Sequence, residues 1–190
     1  MDVTSFYKKI ASGMVVSLTT VFLLCSTSFA QNSPLAVKGD QTAFGNLKVV
    51  SQYGHVVLAD QPDKATVGMF KDMGIKMVIN IRNESENEGF DERKAVEAEG
   101  MSYIQIPYMK GRAINGDAAD ELLSLIEMTA KSGNKVMLHC GHSQRVGSVL
   151  GVALFKAGYS RAEAGEIATD AGMTSEFITK IHNDYMDTLE

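Results

Sequence analysis

A chain of 190 residues with 23 acidic and 18 basic side chains carries a formal charge of −5, which argues against nucleic acid or an acidic membrane surface as its partner, since both demand a basic face. Its length and its 45% of hydrophobic residues suit one domain with a full core. Any anion site must then be a local arrangement of donors.

Lys8 and Lys9 precede an apolar stretch, residues 10–29, with small residues at Ser28 and Ala30 ahead of polar Gln31. That is the layout of a secretory signal peptide, residues 1–30, cut after Ala30. Ser12, Gly13, Ser17, Thr19 and Thr20 dilute the stretch as a membrane anchor, and bulky Leu24 sits where lipid attachment to Cys25 needs a small residue. The expected product is soluble, periplasmic and free of the membrane once cleaved. Cleavage removes Cys25 and leaves Cys140 as the only cysteine. A lone cysteine in an oxidising compartment cannot close an internal disulfide, so it is either a buried small hydrophobe or a working thiol. Residues 31–45 read as a leader and residues 46–190 as the domain.

Residues 47–50 and 55–59 read as short strands around a turn at Gly54. Pro62 opens a helix with Val67, Phe70 and Met73 on its apolar face, and Gly74 closes it. Residues 77–81 are nearly all apolar, as in a parallel strand buried on both faces. An acidic loop over 82–91 follows, in which Glu84, Glu86 and Asp91 read as solvated. It leads to a helix ending near Gly100 and a strand over 103–106, stopped by Pro107. A long helix over 117–130 carries Leu122, Leu125 and Ile126 at helical spacing, and the final strand covers 135–139. Strands alternating with helices imply crossover connections and a three-layer α/β fold: a mostly parallel central sheet with helices on both faces. Ligands bind such sheets outside the carboxyl ends of the strands. Three helices follow, near 146–157, 160–171 with a capping box at Ser160 and Glu163, and from 174 onward.

Cys140 lies where the last strand stops and an apolar helix is about to begin. The backbone N–H groups of Gly141, His142, Ser143, Gln144, Arg145 and Val146 can curl into a nest, and the helix N-terminus adds its partial positive charge there. An oxyanion fits that place. The same field favours the Cys140 thiolate and predicts a depressed thiol pKa. Arg145 completes the site, because its planar fork grips two oxygens of a tetrahedral anion. Gly147 is expected to let the first helical turn approach the loop. His139 and His142 flank the thiol, but with one cysteine they cannot converge on a single ion, so no metal is expected. His139 is expected to brace the loop by hydrogen bonds and His142 to be exposed.

Several stretches carry a resemblance: Leu58-Ala59-Asp60-Gln61-Pro62, the segment 74–82 from Gly74 to Arg82, the segment 100–107 from Gly100 to Pro107, and His139-Cys140 with Arg145-Val146-Gly147. Together they resemble the compact dual-specificity branch of cysteine phosphatases, and within it a bacterial phosphatase-like family named for a supposed β-lactamase-hydrolase relationship. The resemblance implies a cysteine-phosphatase-like fold and hydrolysis of phosphomonoesters without a cofactor. Cys140 would be the nucleophile and form a phosphocysteine, with the loop N–H groups and Arg145 holding the phosphate oxygens. The family's general acid is an aspartate on the loop after the strand matching residues 103–106. Residues 107–116 hold no carboxylate, so Asp117 is the candidate, followed by Asp120, and then by Glu84, Glu86 and Asp91. Four residues separate Cys140 from Arg145 where the family has five, and Val146 stands where it has Ser or Thr. Ser143 and Ser148 are the nearest hydroxyls in sequence.

The four-residue gap also resembles the active loop of rhodaneses, where the cysteine carries a persulfide and no general acid is needed. A third reading is a non-catalytic module that binds a phosphorylated or sulfated partner, with Lys110 and Arg112 reaching the anion. In each reading the partner is an anionic, phosphorylated or sulfur-containing molecule.

Overall fold

The computed structural model describes residues 33–40, 42–86 and 89–190; the expected signal peptide, residues 1–30, lies outside them. Seven strands are seen among the described residues: β1 (Val50–Tyr53), β2 (Val56–Ala59), β3 (Ile75–Asn80), β4 (Ser102–Gln105), β5 (Met109–Lys110), β6 (Ala113–Ile114) and β7 (Lys135–His139). The main sheet runs in the order β1-β2-β7-β3-β4, while β5 and β6 form a separate hairpin. Within the main sheet only β1 is antiparallel; β2, β7, β3 and β4 are parallel.

Each inner strand feeds two cores, because successive side chains point to opposite faces. Val136 and Leu138 of β7 and Val56 and Leu58 of β2 enter one core. Met137, Val57 and Ala59 enter the other. The first core is covered by α3 (Gly116–Lys131), α4 (Gln144–Lys156), α5 (Arg161–Asp170) and α6 (Glu176–Met186). The second is covered by the short helices α1 (Lys64–Val67) and α2 (Glu92–Ala98). The fold is therefore the expected α/β arrangement, a mostly parallel sheet flanked by helices. None of these helices is long and apolar enough to cross a membrane.

Three elements differ from the sequence reading. The first strand begins at Val50, because the preceding residues are held by side chains: the Asp60 carboxylate accepts the N–H of Lys48 at 3.2 Å and of Val49 at 3.4 Å. The helix after Pro62 is split into α1, capped by Asp63, and a 3-10 turn at Lys71–Met73. Gly68 directly follows α1, a residue that propagates a helix poorly. The stretch after Pro107, read as a loop, contains the hairpin, turning at Gly111 with φ +64. Part of the leader covers the outer edge of β1: Gly39 N–H donates to Gln52 at 2.8 Å and Gly54 N–H to Val37 at 3.0 Å. Lys38 and Tyr53 both reach the Asp170 carboxylate.

Gly147 has a different role from the one its position in the loop suggested. A Cβ there would lie 2.6 Å from the Ala168 carbonyl oxygen and 2.7 Å from the Met173 nitrogen. Its bareness admits the end of α5 and the turn after it against α4. Deeper in α4, Ser148 joins a buried chain: Tyr108 Oη is 3.1 Å from Ser148 Oγ, which is 3.0 Å from His182 Nδ1. With the His182 proton on Nε2, Nδ1 accepts from Ser148, and Ser148 accepts from Tyr108. Burial, and after it the charge of Arg161, pushes the His182 pKa down to about 4.

Two predictions follow from this packing. Gly147→Ala should destabilise the protein by about 3 kcal/mol, since backbone atoms block the added methyl, and a denaturant midpoint measures it. His182 is neutral when folded and titrates at about 4 instead of 6.5, so its contribution is full above pH 6.5 and is lost as pH falls to 4. The loss should approach about 3 kcal/mol, read as a steeper acid fall in melting temperature than in His182→Gln.

Candidate functional site

The parallel strands end on the same side, and the segments after β2, β3 and β7 meet there. Register fixes the meeting: Asn80 pairs with His139 and Ala59 with His139 from the other side. Ile81 N–H donates to the His139 carbonyl at 3.1 Å and Cys140 N–H to the Ala59 carbonyl at 3.3 Å. Cys140 is thereby clamped between two neighbours at the carboxyl edge of the sheet, 1% exposed.

Beyond Cys140 the chain makes one tight turn. Ser143 adopts φ 60, ψ −11, the left-handed region, and α4 begins at the next residue. Its side chain turns away from the cradle: Oγ donates to the Val49 carbonyl at 3.1 Å. Gln144 also faces away. Its Oε1 accepts from the N–H groups of Thr174 and Ser175 at 2.7 Å each, and its Nε2 donates to Thr174 Oγ1 at 2.9 Å. The backbone N–H groups from Gly141 to Val146 donate to no acceptor among the described residues. A left-handed residue leading into a helix is the geometry of an anion nest.

Arg145, in the first turn of α4, brings its guanidinium back over this turn. A Cβ at Gly141 would lie 3.7 Å from Nη2, and the Cys140 thiol is near enough to help raise the arginine's pKa. Both forks are engaged by one side chain: Nη1 donates to Glu86 Oε1 and Nη2 to Glu86 Oε2, each at 2.7 Å. Burial works against the charged guanidinium, but Glu86, and then the thiol, outweigh it and raise the Arg145 pKa. The Arg145 hydrogen bonds hold the Glu86 carboxyl down at about 2, against the desolvation that raises it.

A second charged cluster lies beside the first. Arg82, 2% exposed, donates from Nη1 to Gln61 Oε1, and its Nε stands 3.7 Å from Glu86 Oε2. Glu92 Oε1 lies 2.9 Å from His139 Nε2, and Glu92 Oε2 accepts from Asn80 Nδ2 at 3.0 Å. Burial raises the Glu92 carboxyl, and its contacts, His139 first, more than reverse that. A polar pocket of about 280 Å³ opens here, lined by Asn80, Arg82, Glu84, Glu86, Glu92 and Tyr103 among others.

The structure thus brings Cys140, the loop N–H groups and Arg145 together. It does not bring Asp117 to them: Asp117 is exposed in the first turn of α3, and its carboxylate has no partner among the described residues. Asp120 pairs with Lys156 at the far end of α4. Arg112 stacks over Phe177 at 5.1 Å. His142 is exposed as expected, but His139 does not brace the loop as expected: neither ring nitrogen has a hydrogen-bond partner among the described residues, and Nε2 faces Glu92. Neither Ser143 nor Ser148 offers its hydroxyl to Cys140, since the first is bound to Val49 and the second lies in the Tyr108–His182 chain. Sequence reasoning missed Arg82 and Gln61, and it named Glu86 only as a remote general-acid candidate, solvated by default, not as the partner of Arg145. The available signal was Arg82 itself, a cation directly behind an apolar strand.

No protein-family profile matches the chain, and no curated protein does. Solved structures do. A candidate phosphatase of the DUF442 group from Shewanella putrefaciens CN-32 is 16% identical, with a TM-score of 0.59 over 75% of this chain and 94% of that one. Tk-PTP in its active form is 19% identical, TM-score 0.59, over 70% of this chain and 92% of its own. Kinase associated phosphatase, with serine replacing its catalytic-site cysteine, is 13% identical, TM-score 0.62, over 72% of this chain and 88% of its own. The chain has the fold of these phosphatases.

Gln144→Ala removes the three hydrogen bonds that tie the loop to the start of α6. It should lower stability by about 1–2 kcal/mol and speed amide exchange across residues 140–146, as mass-spectrometric hydrogen exchange would record.

Proposed function

We propose that the chain hydrolyses phosphomonoesters with Cys140 as nucleophile. The observation that carries this reading is the occupied fork of Arg145: beside a thiol, and near N–H groups with no acceptor among the described residues, it already holds two oxygens of an anion. The phosphatase fold of the structural neighbours supports the same reading. The thiolate sulfur of Cys140 attacks phosphorus, the S–P bond forms, and the ester P–O bond breaks. The leaving oxygen takes its proton from water. A second water then attacks, its P–O bond forms, the S–P bond breaks, and inorganic phosphate leaves. Arg145 and the N–H groups of Gly141, His142, Ser143, Gln144, Arg145 and Val146 hold the equatorial oxygens throughout. The signal-peptide reading of residues 1–30 places this activity, as part of the proposal, in the periplasm.

The hairpin that follows β4 carries no carboxylate, so leaving-group protonation has no side chain assigned to it. Esters whose leaving oxygen needs no proton are therefore the best substrates. An aryl phosphate with an acidic phenol should be cleaved at least about 100-fold faster than an alkyl phosphate. Cys140→Ser should reduce phosphate release by more than about 1000-fold. The same proteins given thiosulfate and cyanide test sulfur transfer: thiocyanate without phosphate release would replace the hydrolase reading with the rhodanese-like one, and neither product would favour the binding module.

A further inference from the structure

The anion cradle is filled by the chain itself, and the filling has a second place to go. We propose that Glu86 is a specificity-determining residue, an internal competitor that restricts the Arg145 cradle to tetrahedral oxyanions and rests beside Arg82 when displaced. The inference rests on the anion-site reading above.

Glu86 accepts two hydrogen bonds of 2.7 Å from Arg145, which is all that a carboxylate from solution can accept from the same fork. Because Glu86 is tethered, its effective concentration is of the order of millimolar or above. A free carboxylate below that level gains nothing by replacing it. A phosphate monoester brings a further oxygen and a further charge, and the N–H groups from Gly141 to Val146 have no acceptor among the described residues and can meet that oxygen. Only a ligand of this shape has binding energy left after displacing Glu86.

The displaced carboxylate stays within reach of other charge partners. Oε2 already lies 3.7 Å from Arg82 Nε, and Asn83 N–H holds Oε1 at 2.9 Å. The pocket of about 280 Å³ on that side, lined by Arg82 and Glu86, gives the side chain room to turn. Arg82 is itself fixed by Gln61, so the fallback position is part of the scaffold.

Calorimetric titration of inorganic phosphate, alone and against excess acetate, tests the proposal on wild type, Glu86→Gln, Glu86→Asp and Glu84→Gln. Glu86→Gln should bind phosphate at least about tenfold tighter and become sensitive to acetate. Glu84→Gln removes the same charge from the same loop without touching Arg145, and should stay within about twofold of wild type. Glu86→Asp keeps the charge on a side chain too short for both bonds, should fall between wild type and Gln, and decides the matter if the Gln variant does not fold. Phosphate binding that is unchanged or weaker in the Glu86 variants overturns the filter and leaves the anion site standing. No phosphate binding in any of the proteins overturns both.

Discussion

A guanidinium enclosed beside a thiol must be neutralised, and here Glu86 does it. Burial opposes the charge on Arg145 and desolvation opposes the charge on Glu86, yet the two pKa values move apart, arginine up and glutamate down. Two aligned, charge-assisted bonds outweigh both penalties. The partners come from segments 59 residues apart in sequence. What brings them together is the parallel pairing of β3 with β7, which starts the Glu86 loop and the Cys140 loop from neighbouring strand ends. The sheet register is therefore the constraint beneath the site.

The surroundings keep the cradle empty of everything else. Ser143 in the left-handed region is unfavourable by about 1–2 kcal/mol for a residue with a Cβ, and it is held there by its bond to Val49 and by contact with Gly172. Gln144 spends its amide on the start of α6. Both side chains could have reached inward and satisfied the loop's own N–H groups. Anchored outward, they leave those donors to a ligand.

The layering was legible because apolar strands alternate with helical spacing, and β7 is buried along nearly its whole length. The cysteine, its N–H nest and Arg145 were legible because strand, turn and helix are consecutive. The capping box at Ser160 was readable for the same reason, being wholly local. Glu86 was not, since an acidic loop looks solvated whatever distant cation it meets. The hairpin strands are two residues each, too short to show a period. Asp117 illustrates the reverse error. An aspartate in a helix's first turn is explained by the helix dipole, and the structure leaves it at the surface with that local explanation sufficient.

The short spacing between Cys140 and Arg145 has a structural consequence that ties these observations together. With four residues between them, the left-handed turn at Ser143 ends the loop, and Arg145 already belongs to the first turn of α4. Its backbone is fixed by the helix, whereas Glu86 comes from the loop after β3. Val146, next along, is fully buried and carries no hydroxyl to offer the sulfur. On the proposed function, breakdown of the phosphocysteine is left to water and the oxyanion donors, and the product is held by the same donors that bound the ester. A tethered carboxylate competing for Arg145 acts on product as well as on substrate. On the proposed reading, the contact that excludes planar anions also hastens the departure of phosphate from a cradle with no side chain to expel it.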